Sequence, residues 1–294
     1  MAIDYHALHG WPFRDVEHTY DWKDAALYAL GVGYGHDPLD ERQLRFVYEP
    51  QMRAAPTMAV VLATPGFWVK DPASGVDWVR VLHGEQSLTL HRPLPTAGTV
   101  VARNAVVAVV DKGRDRGAIL VQRRTLRDAS TGEPLATLEG LTFARGDGGF
   151  SERPGNGPAG GDAPPPPKPP VPDGPPDAVC DLPTLPQAAL IYRLCADLNP
   201  LHADPAVARA AGFDRPILHG LATFGVAGHA ILRSCCDYAP ERLKSIGVRF
   251  SGPVFPGETI RTELWRRGER VHFRARALER DALVLSHGVA EVSA

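Results

Sequence analysis

The chain of 294 residues has little cysteine and almost no excess charge. Its four cysteines are Cys180, Cys195 and the adjacent pair Cys235 and Cys236, so there is no CxxC pair and no spaced set of the kind that holds zinc or a disulfide framework. Thirty-two basic residues face 34 acidic ones, for a net charge of −2, and no Lys/Arg cluster is interleaved with aromatic residues. We therefore expect no metal and no nucleic-acid partner.

Long apolar runs are also missing. No stretch reaches the roughly 18 apolar residues that a membrane span needs. The first residues, "MAIDYHALHGWPF", lack a basic region followed by an apolar run, which is the pattern of a secretory signal. The sequence therefore predicts a soluble protein of the reducing cytoplasm with no membrane partner. With 44% hydrophobic residues, the chain is long enough for one large domain or two modest ones.

Proline and glycine are concentrated between residues 146 and 180. This stretch, "GDGGFSERPGNGPAGGDAPPPPKPPVPDGPPDAVC", has almost nothing large and apolar to bury. Packing therefore does not offset the entropy of ordering it, and the composition is typical of an extended linker. We predict a first half at residues 1–145, a linker at 146–180 and a second half at 181–294.

The two halves resemble each other in the order of their predicted elements. Each has an Ala/Leu-rich helical stretch, then a second apolar helix, then several strands. In one gapless register, "ALYALGVGYGHDPL" (26–39) pairs with "LIYRLCADLNPLHA" (190–203). Asp197 then faces Gly33, and His202 faces a proline. Because only the second half has an acid and a base there, it is expected to do the chemistry, while the first half binds or supports.

The stretch "YRLCADLNPLHADP" contains the most reactive combination of side chains in the sequence. A helix is predicted from about residue 186 to 195, which places Asp197 at its exit. Pro200 keeps Asn199 out of the helical region, so the loop is bent and the side chains of Asp197 and His202 can face one pocket. A plain solvated turn is the alternative, since Asp, Asn and Pro are ordinary turn residues.

Two more helices are predicted after this loop. The first has Asp204 as N-cap and runs over residues 205–212. The second, "HGLATFGVAGHAIL" (219–232), is small, apolar and buried, and its start at Gly220 would present free backbone N–H groups to a developing oxyanion. Close packing of a helix on a sheet is the alternative explanation. Alternating segments from Ser245 onward predict an antiparallel sheet under this helix.

The loop with Asp197 and the segment that leads into the buried helix resemble a known family. "YRLCADLNPLHADPAVARAAGF", followed by "RPILHGLATFG", is similar to the signature of the MaoC-type (R)-specific enoyl-CoA hydratases, also called type-2 hydratases. The first half resembles the non-catalytic half of their two-hotdog members in "LYALGVG", "RFVYE" and "LHGEQSLTLHRPLP". The resemblance implies an α+β double hotdog, in which two antiparallel sheets each wrap around a long central helix.

The resemblance also implies roles for individual residues. Asp197 and His202 would activate one water, Asn199 would support their loop, and the Gly220 N–H would bind the thioester oxygen. Substrate contacts are expected from four further residues: His219, Tyr192, Arg215 and Gly33. The implied reaction is hydration of trans-2-enoyl-CoA to (3R)-3-hydroxyacyl-CoA in fatty acid β-oxidation. It needs no cofactor. The protein is expected to be a homodimer, and its binding partner is expected to be the acyl-CoA thioester substrate.

One departure from the family pattern leaves alternatives open. The family usually has Ser-Gly before the acid, whereas this chain has Cys195 and Ala196, and the added methyl group could re-aim Asp197. This departure allows a non-catalytic acyl-thioester binding protein. Two further alternatives do not depend on it: a hotdog acyl-CoA thioesterase and an acyl-carrier-protein dehydratase.

Overall fold

The computed structural model describes residues 3–195 and 197–293, and one ten-stranded antiparallel sheet runs through it. The strand order is β1-β3-β4-β5-β2-β7-β10-β9-β8-β6. The strands are β1 (Val16–Tyr20), β2 (Val81–Leu90), β3 (Gly98–Asp111), β4 (Ala118–Asp128), β5 (Pro134–Ala144), β6 (Ala178–Pro183), β7 (Leu243–Phe250), β8 (Thr259–Arg267), β9 (Arg270–Ala277) and β10 (Ala282–Val292). The two halves are therefore joined edge to edge, where β2 pairs with β7.

The helices lie on this sheet and are mostly short. They are α1 (Tyr5–His9), α2 (Trp22–Gly31), α3 (Glu41–Leu44), α4 (Ala188–Tyr192), α5 (Pro205–Ala210) and α6 (Gly220–Cys235). The predicted N-cap of α5 is present, since the Asp204 carboxylate accepts hydrogen bonds from the backbone N–H groups of Ala206 and Val207.

The central helix α6 is almost completely buried and packs against the first half. Two of its glycines make this close approach possible. A Cβ atom at Gly225 would lie 2.5 Å from a Val32 methyl group, and one at Gly228 would lie 2.5 Å from the Thr57 methyl group. The small residues noted in the sequence thus allow the two halves to pack closely against each other.

The first half has no counterpart to α6 among the described residues. The stretch predicted as its second apolar helix forms only a short 3₁₀ helix, Pro56–Val61. Its β-branched residues are poor helix formers. The chain then turns at Ala63, which has a φ of 47°, and continues to Pro65. The expected long helix is therefore found only in the second half, and α6 fills much of the space between the halves.

The Pro/Gly-rich segment follows the surface of the folded chain. Its first part packs on the first half through Phe150, which is buried. Farther on, the Lys168 ammonium group pairs with Glu85 on β2, and the same carboxylate binds Arg249 on β7. The segment thus crosses the junction of the two halves before β6 begins.

One apolar cluster spans both halves and forms the main core. The rings of Tyr28 and Tyr192 face each other across the junction, with centroids 5.9 Å apart. A smaller cluster lies at the far end of the first half, around Ile3, Leu8 and Phe150. Within residues 3–195 and 197–293, no helix has the length and apolar character that crossing a bilayer would need.

Candidate active site

The loop that carries Asp197 is held by its own side chains. The Asp197 carboxylate accepts a hydrogen bond from the Asn199 N–H at 3.0 Å. The Asn199 side chain in turn accepts one from the Leu201 N–H at 3.1 Å and caps a 3₁₀ turn that ends at His202. Two successive side-chain turns therefore set the path of the loop between the acid and the base.

His202 is buried, and its tautomer follows from one contact. Its Nδ1 lies 2.8 Å from the carbonyl oxygen of Ile217, which can only accept, so Nδ1 carries the proton. The other ring nitrogen, Nε2, carries a lone pair and has no hydrogen-bond partner among the described residues. Burial lowers the pKa of His202, against the opposing effects of the Ile217 hydrogen bond and the Asp197 charge. The ring is therefore a neutral base at pH 7.

His219 completes a cluster with the predicted acid and base. Its Nε2 donates to the backbone carbonyl of Asp197 at 3.1 Å, and its ring stacks on that of His202 with centroids 3.7 Å apart and planes 27° apart. Ligand-type side-chain atoms of Asp197, His202 and His219 lie within 4.8 Å of one another. Burial, followed by the charge of His202, lowers the pKa of His219 to about 4.

A carboxylate and two imidazoles are also metal-ligand types. Here each imidazole already donates one N–H to a backbone carbonyl, and the near-parallel stack keeps the remaining lone pairs in separate planes. One ring would have to rotate before both nitrogens could bind a single ion. The geometry suits proton transfer at His202 beside Asp197 better than shared coordination.

Gly220 begins α6 next to this cluster. Within the part of the chain that the structure describes, its N-cap, His219, makes no side-chain capping hydrogen bond, so the first N–H groups of the helix are available to a ligand. The position leaves little room for a side chain, because a Cβ atom would lie 3.3 Å from the Phe250 ring. The acid, the base and a helix N-terminus thus converge at one place.

His83 is a further neighbour of the site, and the sequence predicted no functional role for it. It lies on β2 of the first half, with its ring 4.7 Å from that of Phe250 and close enough to Asp197 for the carboxylate to act on it electrostatically. The motif "LHGEQ" was the available signal. Its connection to the site depends on the pairing of β2 with β7, which no local pattern predicts.

The four predicted substrate residues occupy different places. Tyr192 is buried beside His219, with ring centroids 5.0 Å apart, and its hydroxyl has no hydrogen-bond partner among the described residues. The guanidinium group of Arg215 lies on an exposed loop, 4.9 Å from the centroid of the Phe255 ring. Gly33, with a φ of 90°, is in the first half. Of these four residues, the structure therefore brings His219 to Asp197 and His202, and Tyr192 beside His219.

Gly33 borders a mainly apolar cavity of about 200 Å³ between the halves. The residues that line it come from the end of α2 and the segment after it, from the β6–α4 connection, and from α4 and α6: Leu30, Gly31, Gly33, Tyr34, Gly35, His36, Pro183, Thr184, Leu185, Ala188 and Val226. The stretch singled out in the first half, residues 26–39, thus supplies much of the wall.

The departure from the family pattern is only partly visible. Ala196 lies outside the described residues. Burial, followed by the charge of Asp24, raises the pKa of the Cys195 thiol to about 12, so this cysteine stays protonated and is a poor nucleophile.

The fold and site together define a two-hotdog protein with an Asp–His pair at the start of its central helix. Both halves of the chain match known protein families. The MaoC like domain matches residues 168–287, and the MFE-2 hydratase 2 N-terminal domain matches residues 18–146. The chain belongs to the MaoC-like hydratase 2 family, so the resemblance noted in the sequence is confirmed.

Relatives cover the whole chain. Enoyl-CoA hydratase ChsH3 of Mycobacterium tuberculosis is 36% identical and covers 100% of both chains. The peroxisomal enoyl-CoA hydratase 2 of Arabidopsis thaliana is 37% identical over 92% of this chain and 90% of its own. Because that relative is named as peroxisomal, the cytoplasmic location stays a prediction for this chain. The homodimer also stays a prediction.

Solved structures confirm the fold class. A MaoC-like dehydratase from Phytophthora capsici matches with a TM-score of 0.83 and 32% identity over 99% of both chains. A Mycobacterium tuberculosis protein described as a double hotdog matches with a TM-score of 0.54 and 19% identity, over 96% of this chain and 94% of that one, which bears on the fold alone. The predicted double hotdog is therefore confirmed.

Proposed function

We propose that this protein hydrates trans-2-enoyl-CoA to (3R)-3-hydroxyacyl-CoA, with Asp197 and His202 acting on one water molecule. The observation that carries the proposal is the meeting of a carboxylate, an unprotonated ring nitrogen and the first N–H groups of α6 at Gly220. The names of the relatives support the same reaction, since two full-length ones are enoyl-CoA hydratases. The (3R) configuration is taken from the type-2 hydratases that the motif resembles.

The substrate chemistry explains the need for these groups. In a trans-2-enoyl thioester, conjugation makes C3 electrophilic, and attack by water there builds negative charge on the thioester oxygen. The N–H of Gly220, at the positive end of the α6 dipole, is placed to stabilise that charge. A fixed donor at this position lowers the barrier without reorganising during the reaction.

The proton transfers can be assigned to the Asp–His pair. One oxygen of Asp197 is held by the Asn199 N–H, and the lone pair on His202 Nε2 is free, because Nδ1 is bound to Ile217. The water oxygen bonds to C3 as one of its protons passes to the pair, and the pair delivers a proton to C2. The net change is addition of one water, and the pair returns to its starting state.

The acyl chain is assigned to the cavity between the halves. Val226 lies six residues beyond Gly220 on α6, which is about 9 Å along the helix axis. The cavity wall formed by Val226 and Gly33 thus lies within two helical turns of the proposed thioester site. This assigns chain selection to a wall that the first half shares with the β6–α4 connection, α4 and α6. Arg215, on its exposed loop, is proposed to meet the phosphates of CoA.

A spectrophotometric hydration assay with chiral analysis of the product tests the reaction. Asp197→Asn and His202→Ala should each lower kcat by about 10²- to 10⁴-fold, the usual contribution of a positioned acid or base. The double variant should be scarcely slower than either single variant, because residues that act as a unit are not additive. His272→Phe, on the outward face of β9, is the control and should keep wild-type turnover.

Three outcomes would contradict the proposal. Folded single variants with near wild-type turnover would make Asp197 and His202 ordinary loop residues. Release of free CoA from a saturated acyl-CoA would indicate a thioesterase instead. Binding of enoyl-CoA without any turnover would indicate a binding protein.

A further inference from the structure

His219 is in contact with both members of the proposed acid–base pair and is itself hidden from solvent. It donates a hydrogen bond to the Asp197 backbone, stacks on the His202 ring and has Tyr192 at its other side. Only 2% of its surface is exposed. A residue so placed has little surface left for the substrate contact that the sequence predicted.

We propose that His219 is a positioning residue, which ties the Asp197 loop to the start of α6 and holds the plane of the His202 ring. The proposal rests on the hydratase function argued above and concerns how that site is kept in order. His219 touches no reacting atom in this account. It acts through the two residues that do.

The hydrogen bond from His219 to Asp197 ties the acid's loop to a second element. Asp197 lies on an exposed loop, and its side chain is braced from inside that loop by the Asn199 N–H. Among the described residues, the bond from His219 Nε2 to its carbonyl is the one hydrogen bond that reaches Asp197 from another element. His219 is also the N-cap of α6, so this bond connects the acid to the helix that carries Gly220.

The second contact is the stack of the His219 ring on the His202 ring. At 3.7 Å, the His219 ring covers one face of His202 and keeps water from it, while the Ile217 carbonyl fixes the tautomer. If His219 were charged, it would repel protonated His202 and compete with it for the Asp197 carboxylate. Burial and the His202 charge both lower the pKa of His219, so its ring is neutral at pH 7.

Two matched variants separate these functions. His219→Phe keeps a flat ring against His202 but removes the donor to Asp197, whereas His219→Gln keeps an N–H donor and removes the ring. Misplacing a reacting group by about 1 Å costs up to about 100-fold, so the Phe variant should lose about 10- to 100-fold in kcat with KM within about twofold. The Gln variant should stay closer to wild type in kcat.

The second readout is the titration of the His202 ring, followed by NMR. In the Phe variant the pKa of His202 should stay low, because its face is still covered. In the Gln variant water reaches the ring, so the pKa should rise toward its usual value and the acid limb of the kcat profile should move to higher pH. His272→Phe is the control for both readouts and should change neither.

The proposal is overturned if the Phe variant keeps wild-type kcat, or if the Phe and Gln variants lose it equally. A rise in KM with unchanged kcat would overturn it too, since that result assigns His219 to substrate binding. An identical His202 titration in all variants would show that the His219 ring does not shield His202. The titration needs no turnover, so it tests this inference even if the wild-type protein hydrates no enoyl-CoA.

Discussion

The buried histidine His229 makes the stability of this protein sensitive to acid. It lies in the middle of α6, fully buried and stacked on Tyr34 with ring centroids 3.8 Å apart. Its ring nitrogens face the Tyr238 hydroxyl at 3.1 Å and the Val32 carbonyl at 3.3 Å. Burial lowers its pKa from 6.5 to about 4, and the Val32 hydrogen bond only partly opposes this. His229 is therefore neutral in the folded protein at pH 7.

The sign of the effect follows from this lowered pKa. The unfolded chain takes up a proton near pH 6.5, whereas the folded chain resists it until about pH 4. The stability that neutral His229 contributes is complete above pH 6.5 and is lost as the pH falls toward 4. Each pKa unit corresponds to about 1.4 kcal/mol, so at pH 5 this residue alone should cost about 2 kcal/mol of unfolding free energy relative to pH 8.

Urea unfolding of the wild-type protein and His229→Phe at several pH values between 5 and 8 measures this cost. The Phe variant keeps the stack on Tyr34 but cannot be protonated. It should be less stable at pH 8, because the Tyr238 hydroxyl loses its partner, and the gap to wild type should shrink by about 2 kcal/mol by pH 5. Tyr34→Phe is the control, since it keeps the stack and should shift stability equally at every pH. A gap for His229→Phe that does not change with pH would refute the reasoning.

Two further predictions concern the cavity and the linker. Ala188→Leu, which adds apolar volume to the cavity wall, should lower kcat/KM for long enoyl chains by about 10-fold or more and spare short ones, because each buried methylene is worth about 0.8 kcal/mol. An assay over a chain-length series checks this, and equal losses at every length would contradict it. Gly33 is a poorer test position, because its φ of 90° strains any side chain. After cleavage between residues 163 and 177, the halves should elute together on size exclusion and stay active in the hydration assay. Two separate, inactive pieces would contradict a shared core.

The parts that the sequence predicted well are local. The Asp204 cap and the start of α6 at Gly220 follow from short patterns, and the structure has both. The alternating segments from Ser245 onward do form an antiparallel sheet, with β8, β9 and β10 in that region. The helix before Asp197 ends at Tyr192 instead of residue 195, since the chain already turns there before the loop.

The parts that were missed depend on contacts between distant segments. The first half's short 3₁₀ helix looks like an apolar helix in sequence, but α6 packs on it through Thr57 and takes the place of a longer element. His83 joins the site only because β2 pairs with β7. The stack of His219 on His202 needs two loops to meet, and no spacing along the chain specifies that contact.

The pairing of β2 with β7 has a consequence for how the protein holds together. Each half completes the edge of the other's sheet, and Lys168 in the connecting segment binds Glu85 beside that seam. The connection therefore acts as a tether that keeps the two edges at a high effective concentration, so association does not depend on how much protein is present. A shared sheet and core also make separate melting of the halves unfavourable, because either half alone would expose an unpaired strand and an apolar face. The two-hotdog chain in this sense resembles an obligate dimer held in one covalent molecule.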